Sequence, residues 1–194
     1  MQKLTRSDLL SLEEYDQQRP DIRAVAITHK GKRRLALGDH AALYFEDRLT
    51  IRYQVLEMLR IEKIFQTEGI AAELEVYNPL IPDGHNWKAT FMIEYSDVEQ
   101  RRSALQRLIG IETALWMKVE GYAKVHPVAN EDLDRTTTDK TSAVHFLRFE
   151  LTPEMVKAAI SGSTVSAGCD HPHYRQEVRC TPEQSAILAA DLQM

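Results

Sequence analysis

Cysteine is nearly absent: Cys169 and Cys180 are the two in 194 residues. Two cannot build the disulfide framework of a small secreted domain, so a reducing, cytoplasmic setting is the expectation. No apolar run approaches the ~20 residues of a membrane span, and the polar stretch MQKLTRSD does not read as a signal peptide. A dominant positive charge is lacking too. The formal net charge is −5, whereas a nucleic-acid binder needs a clustered basic face. One basic cluster exists, His29-Lys30-Gly31-Lys32-Arg33-Arg34. It reads either as a solvated turn leading into a strand or as an anion-binding edge. The sequence has no Gly-rich phosphate loop, C-x-x-C pair or G-x-S-x-G elbow, and no repeat or low-complexity tract. Its apolar and charged fractions, 43% and 27%, are those of a globular protein with one large or two small domains.

Residues 44–65, YFEDRLTIRYQVLEMLRIEKIF, contain neither Gly nor Pro and predict a helix from about Asp47. Leu49, Tyr53, Leu56, Ile61 and Ile64, with Val55, Met58 and Leu59, make it apolar nearly all round. Glu46, Thr50, Gln54 and Glu57 form a narrow polar seam, with Arg60 one turn beyond. Acids inside an interior helix must find partners. The segment is therefore either a buried ion-pair strut or the wall of a binding site, with Glu46, Arg48, Gln54 and Glu57 as candidates. Glu46 and Glu57 lie about 16 Å apart along a helix, too far to share one metal. A di-iron bundle needs Glu-x-x-His pairs, and three positions after Glu57 comes Arg60.

Ser11-Leu12-Glu13-Glu14 has the form of a capping box and opens a helix expected to stop before Arg19-Pro20. Pro20 then suits the first turn of a second helix. Strands at 33–37 and 41–45 read as a hairpin around Gly38-Asp39-His40. After the long helix and a helical piece at 70–76, Pro79, Pro82 and Gly84 predict a rigid extended connector. The domain reading is a mainly helical subdomain at 1–77, a connector at 78–87 and an α+β subdomain at 88–194. Within the last, strands at 88–95, 115–119, 143–151 and 164–169 alternate with helices opened by Ser96-Asp97-Val98-Glu99 and Thr152-Pro153-Glu154. A polar loop spans 130–140, and Thr181-Pro182-Glu183-Gln184 caps a C-terminal helix. The order β-α-β-β-α-β predicts a ferredoxin-like sandwich, a four-stranded antiparallel sheet with both helices on one face. The fold class expected is α+β, a helical N-terminal subdomain with a short hairpin packed on that sandwich.

Three further constellations invite chemistry. In Cys169-Asp170-His171-Pro172-His173-Tyr174, alternate residues of an extended strand share one side, so Cys169, His171 and His173 could hold zinc or iron. The plainer reading has Asp170 and His171 tying down a loop. His145 shares its strand phase with Leu147 and Phe149, as a core histidine would. Arg148 lies on the opposite, open face, which the N-terminal subdomain, a second copy or a partner must cover. Thr90, Met92, Val144 and Phe146 on that face lack the paired aromatics that stacking of RNA requires.

Several blocks carry a resemblance: EYDQQRPDIRAVAITHKGKRRLALG (14–38), LYFEDRLTIRYQVLEMLRIEKI (43–64), ELEVYNPLIP (73–82), VHFLRFELTPE (144–154), and DHPHY with the closing LAADL (170–192). In the same order over nearly the whole chain, they resemble the bacterial family of domain of unknown function 3501. The resemblance implies no catalytic residue. It implies a gene neighbourhood with a rubrerythrin-like di-iron protein and an iron–sulfur protein of the heterodisulfide-reductase type, hence an accessory place in redox or peroxide defence. The family pattern includes Asp170, His171, Pro172 and Tyr174 but not Cys169 or His173, which weighs against a conventional zinc site. The expectation is a non-enzymatic cytoplasmic binding or accessory protein with a protein partner or self-association. The competing expectation is a metal-binding protein or metal-dependent enzyme using the Asp170–Tyr174 segment. If a site exists, it should join His171 or Tyr174 to Glu46, Arg48 or Glu57 where the two halves meet.

Overall fold

The computed structural model describes residues 2–131 and 135–194, so part of the expected loop at 130–140 lies outside the described residues. Ser11 caps the first helix as its sequence signature requires, accepting from the Glu14 amide while Glu14 accepts from the Ser11 amide. That helix, α1 (Leu12–Lys32), does not break at Pro20, contrary to the sequence expectation. Asp16 and Pro20 are both exposed, so solvent can satisfy the carbonyl that loses its i+4 donor. Next come β1 (Arg34–Ala36), β2 (Ala41–Phe45) and α2 (Arg48–Ile61). Asp47 caps α2, accepting from the Thr50 amide at 2.9 Å while the Thr50 hydroxyl accepts from the Asp47 amide. Lys63, at φ 55°, ends it by letting the Ile64 amide reach back to the Leu59 carbonyl. After α3 (Thr67–Tyr77), a 3-10 turn at Asn78–Leu80 occupies part of the stretch expected to be extended. Helices α1 to α3 share a cluster built on Tyr15, Ile51, Val55, Leu56 and Ile70.

The remaining elements are β3 (Asn86–Ile93), α4 (Val98–Arg107), α5 (Ile111–Ala114), β4 (Leu115–Val119), β5 (Val128–Ala129), β6 (Val144–Glu150), α6 (Pro153–Ile160), β7 (Val165–His171), β8 (Tyr174–Arg179) and α7 (Pro182–Ala189). Among the described residues they complete an α+β fold with two antiparallel sheets, ordered β1-β2-β3-β6-β5 and β4-β7-β8. The central ferredoxin-like pair is present, β3 against β6 from Asn86↔Glu150 to Met92↔Val144. The single four-stranded sheet is not. β2 occupies the edge of β3 where β7 was expected, and β5 occupies the edge of β6 expected for β4. Displaced from both edges, β4 and β7 pair with each other, and β8 extends β7. The 34–45 hairpin, read as part of a separate N-terminal subdomain, belongs to the main sheet across the 78–87 connector.

One core joins the sheets: Leu43, Phe91 and Phe149 from the first meet Met117, Val165 and Ala167 from the second, closed by Val156 of α6 and Leu188 of α7. Trp87 anchors the last helix by donating its indole N–H to the Leu188 carbonyl at 2.9 Å. Gly168 is fixed by close approach, since a Cβ there would sit 2.3 Å from the Trp116 ring and 2.6 Å from the Gln176 carbonyl. Among the described residues no helix is long and apolar enough to cross a membrane.

Candidate functional site

Strand pleating sends Leu43, Phe45, Ala89 and Leu147 into the core and leaves Tyr44, Lys88, Thr90, Phe146 and Arg148 on the outer face of the main sheet. The end of α3 and the Asn78–Leu80 turn stand over part of that face. Between them lies a cleft of about 300 Å³ with walls that include Val76, Pro79, Leu80 and Phe146. The N-terminal helices thus cover this part of the open face.

The charged groups of the cleft come from neighbouring strands. Glu46 continues β2, its amide donating to the Lys88 carbonyl at 2.8 Å, so the two residues are cross-strand neighbours. Opposite charges so placed usually pair. Here they do not. The buried Glu46 carboxylate accepts from the Thr90 hydroxyl at 2.7 Å, the Thr50 hydroxyl at 2.5 Å and the Gln54 amide at 3.1 Å. The Lys88 ammonium, also buried, donates to the Pro79 and Ile81 carbonyls at 2.5 and 3.1 Å. Burial pushes the Lys88 pKa down. At the far side Arg148 donates twice to Glu131, both bonds 2.7 Å, and also pairs with Glu150. The bidentate bond holds the Glu131 carboxyl below its ordinary range.

Of the seam residues, Glu46 and Gln54 thus meet at the cleft, whereas Glu57 and Arg48 point elsewhere. Glu57 accepts from Arg19 at 2.7 and 3.0 Å, from the Tyr15 hydroxyl at 2.6 Å and from Arg60 at 3.3 and 3.4 Å. The Arg19 bonds, with those of Tyr15 and Arg60 behind them, hold its carboxyl near 2. It is the ion-pair strut, binding α1 to α2. Arg48 pairs with Asp8 at 2.5 Å and ties down the preceding segment.

The Asp170–Tyr174 segment belongs to the second sheet and its turn. His171 Nε2 faces the Ile109 carbonyl at 3.1 Å, which can only accept, so that nitrogen carries the proton; Nδ1 accepts the His173 amide at 3.2 Å. Both nitrogens are used, leaving no lone pair for a metal. Cys169 is buried in the core, where its thiol pKa is pushed up. Among the described residues no three His, Cys, Asp or Glu side chains converge as a metal site. Cys169, His171 and His173, the residues considered for zinc or iron, are not brought together as such a cluster. Asp170 bonds Lys124 at 2.7 Å. The Tyr174 hydroxyl donates to the Leu37 carbonyl in the β1–β2 loop, so it touches the N-terminal half, but away from Glu46, Arg48 and Glu57. His145 is fully buried, donating from Nε2 to the Ser142 carbonyl at 3.0 Å and facing Asn130 with Nδ1. Burial lowers its pKa. It is a satisfied core histidine.

Sequence reasoning did not single out Lys88 or Glu131 as cleft residues. Lys88 is legible as an outward position of a central strand that Arg148 could meet, and Glu131 lies in the stretch expected to be a polar loop. A second feature had no sequence signal. Arg33, from the basic cluster, is buried and bonds Asp191 from the chain's closing segment, Asp47 at 3.4 Å, and the Phe45 and Glu46 carbonyls. His29 joins it through Asp47 at 2.5 Å. The cluster is therefore neither wholly solvated nor an open anion edge.

The model of the family described as Protein of unknown function (DUF3501) matches residues 3–192. The chain belongs to that family. A crystal structure of a protein of unknown function from Burkholderia pseudomallei is similar to this DUF3501 member with a TM-score of 0.94 and 52% identity. The match covers 99% of this chain and 100% of that one. No curated protein matches.

Proposed function

We propose that this protein is a non-enzymatic binding protein, and that its ligand is a small, largely apolar molecule held between α3 and the outer face of β3 and β6. The cleft carries the reading: it has the concave shape, apolar walls and few convergent polar groups of a small-molecule site. Of the charged groups lining it, Glu46 and Lys88 are held by hydrogen bonds to neutral partners, Arg148 and Glu131 by bidentate pairing, and Glu75 is exposed. None is arranged with a nucleophile and base for turnover. An accessory place beside a redox or iron-dependent protein, with that protein or a second copy as partner, belongs to the same proposal. It rests on the resemblance alone, as ferredoxin-like kinship would rest on the β3–β6 pair alone. Two free, buried cysteines suit the proposed cytoplasmic setting.

Val76 tests the cleft, because its side chain lines the space yet the residue is 65% exposed, so enlarging it need not disturb the core. Saturation-transfer NMR with a fragment library should give hits that compete with one another and vanish in Val76→Trp. Hits that persist in the variant would refute this placement.

A further inference from the structure

Glu46 and Lys88 are oppositely charged neighbours that turn away from each other at one cleft. Glu46 accepts three hydrogen bonds, all from neutral groups, and a carboxylate has about four acceptor positions. Lys88 uses two donors on backbone carbonyls, of the three an ammonium has. Among the described residues no cation pairs with Glu46 and no anion pairs with Lys88. Each thus keeps one bonding position spare and lacks a direct ion pair, Asp83 and Glu131 acting on Lys88 only at longer range, in a setting where burying an unpaired charge is costly. A cationic ligand would pair directly with Glu46 alone, and an anionic one with Lys88 alone. The same cleft is lined by Val76, Pro79, Leu80 and Phe146, with the exposed Glu75 beside Val76.

We infer that the cleft binds an amino-acid-type zwitterion with an apolar side chain, its ammonium at Glu46 and its carboxylate at Lys88. This rests on the cleft reading above. The neutral partners of Glu46 and Lys88 hold the two charges apart before the ligand arrives, which reduces the ordering that binding must impose. A volume of about 300 Å³ suits a molecule of that size and falls at the small end of ligand sites.

Calorimetric titration of the full chain with L-leucine tests this, alongside 3-methylbutylamine, which lacks the carboxylate, and 4-methylpentanoate, which lacks the ammonium. Leucine should bind at least about tenfold more tightly than either analogue. Glu46→Gln should abolish the preference over 4-methylpentanoate, and Lys88→Met the preference over 3-methylbutylamine. Should Lys88→Met fail to fold, the analogue series on the native chain still decides. Analogues that bind as tightly as leucine but are lost in Val76→Trp would overturn the zwitterion and keep the cleft. Leucine binding untouched by Val76→Trp would overturn the cleft itself. If leucine, isoleucine, valine, methionine and phenylalanine all fail to bind, the inference falls while the fragment hits decide the cleft separately.

Discussion

Glu57→Gln offers a quantitative test of the strut between α1 and α2. The substitution keeps the side chain's volume and an acceptor for the Tyr15 hydroxyl, and deletes the charge that faces Arg19 and Arg60. In the folded protein the Glu57 carboxyl lies near 2, against an ordinary value of 4.5. At about 1.36 kcal/mol for each pH unit of depression, the ceiling is about 3 kcal/mol. Arg19 and Arg60 are each about a third exposed, so solvent screening lowers the expectation to about 2 kcal/mol. For a chain of this size that corresponds to a fall in Tm of about 4–8 °C. The sign follows from linkage. A carboxyl whose folded pKa is depressed contributes fully above its unfolded pKa and loses that contribution as pH falls toward the folded value. The gap in unfolding free energy between wild type and Glu57→Gln should therefore be constant from pH 7 to about 5 and less than half as large by pH 3. Urea unfolding at a series of pH values measures it. A gap that is the same at pH 7 and pH 3 would refute the electrostatic account and leave only packing.

The network around Arg33 should respond asymmetrically. Arg33→Met strips Asp47 and Asp191 of their shared cation and should cost about 3–5 kcal/mol, whereas Asp191→Asn should cost under about 1 kcal/mol at pH 7 in urea melts. The reason is that burial outweighs Arg33 and pushes the Asp191 carboxyl up to about 6. A raised carboxyl pKa stabilises the fold as pH falls from about 6 toward the unfolded value of 3.8, so wild type should gain on Asp191→Asn in that window. His171→Phe should cost about 1–3 kcal/mol by stranding the Ile109 carbonyl and the His173 amide. Neither added zinc nor a chelator should move the wild-type Tm if His171 is the saturated imidazole described above.

Local rules were well preserved in the sequence. Ser11, Asp47, Thr152 and Thr181 each cap the helix their spacing announces. The alternation at 88–95 and 143–151 pointed to the two strands that pair as β3 (86–93) and β6 (144–150). What failed was partner choice between strands, because hydrophobic alternation fixes which face a strand buries and says nothing of which edge it joins. β5, two residues long, and β8, YRQEVR with its charges outward, have too little periodic signal to enter such a reading. Those two strands, with β2, decide the topology by occupying edges. One omitted dipeptide strand was enough to send β4 into a different sheet.

The site was legible in the same uneven way. A polar seam on an apolar helix marked Glu46, Gln54 and Glu57 as residues that must find partners, and each does. The seam could not say that Glu57 would be answered by a guanidinium from α1 while Glu46 would receive only hydroxyls and an amide. That difference depends on where Arg19 and Thr90 arrive, 38 and 44 residues away in sequence. It is also what separates a structural acid from a binding candidate: a paired carboxylate is finished, whereas one held by neutral donors keeps its charge available. Lys88 follows the same logic, tied to two carbonyls that lower no charge. The DHPHY segment shows the converse. Its histidines have the spacing of metal ligands, yet a backbone carbonyl and an amide consume both nitrogens of His171 before any ligand could. Residue type and spacing nominate a site; the hydrogen bonds already made decide whether its atoms remain free to serve one.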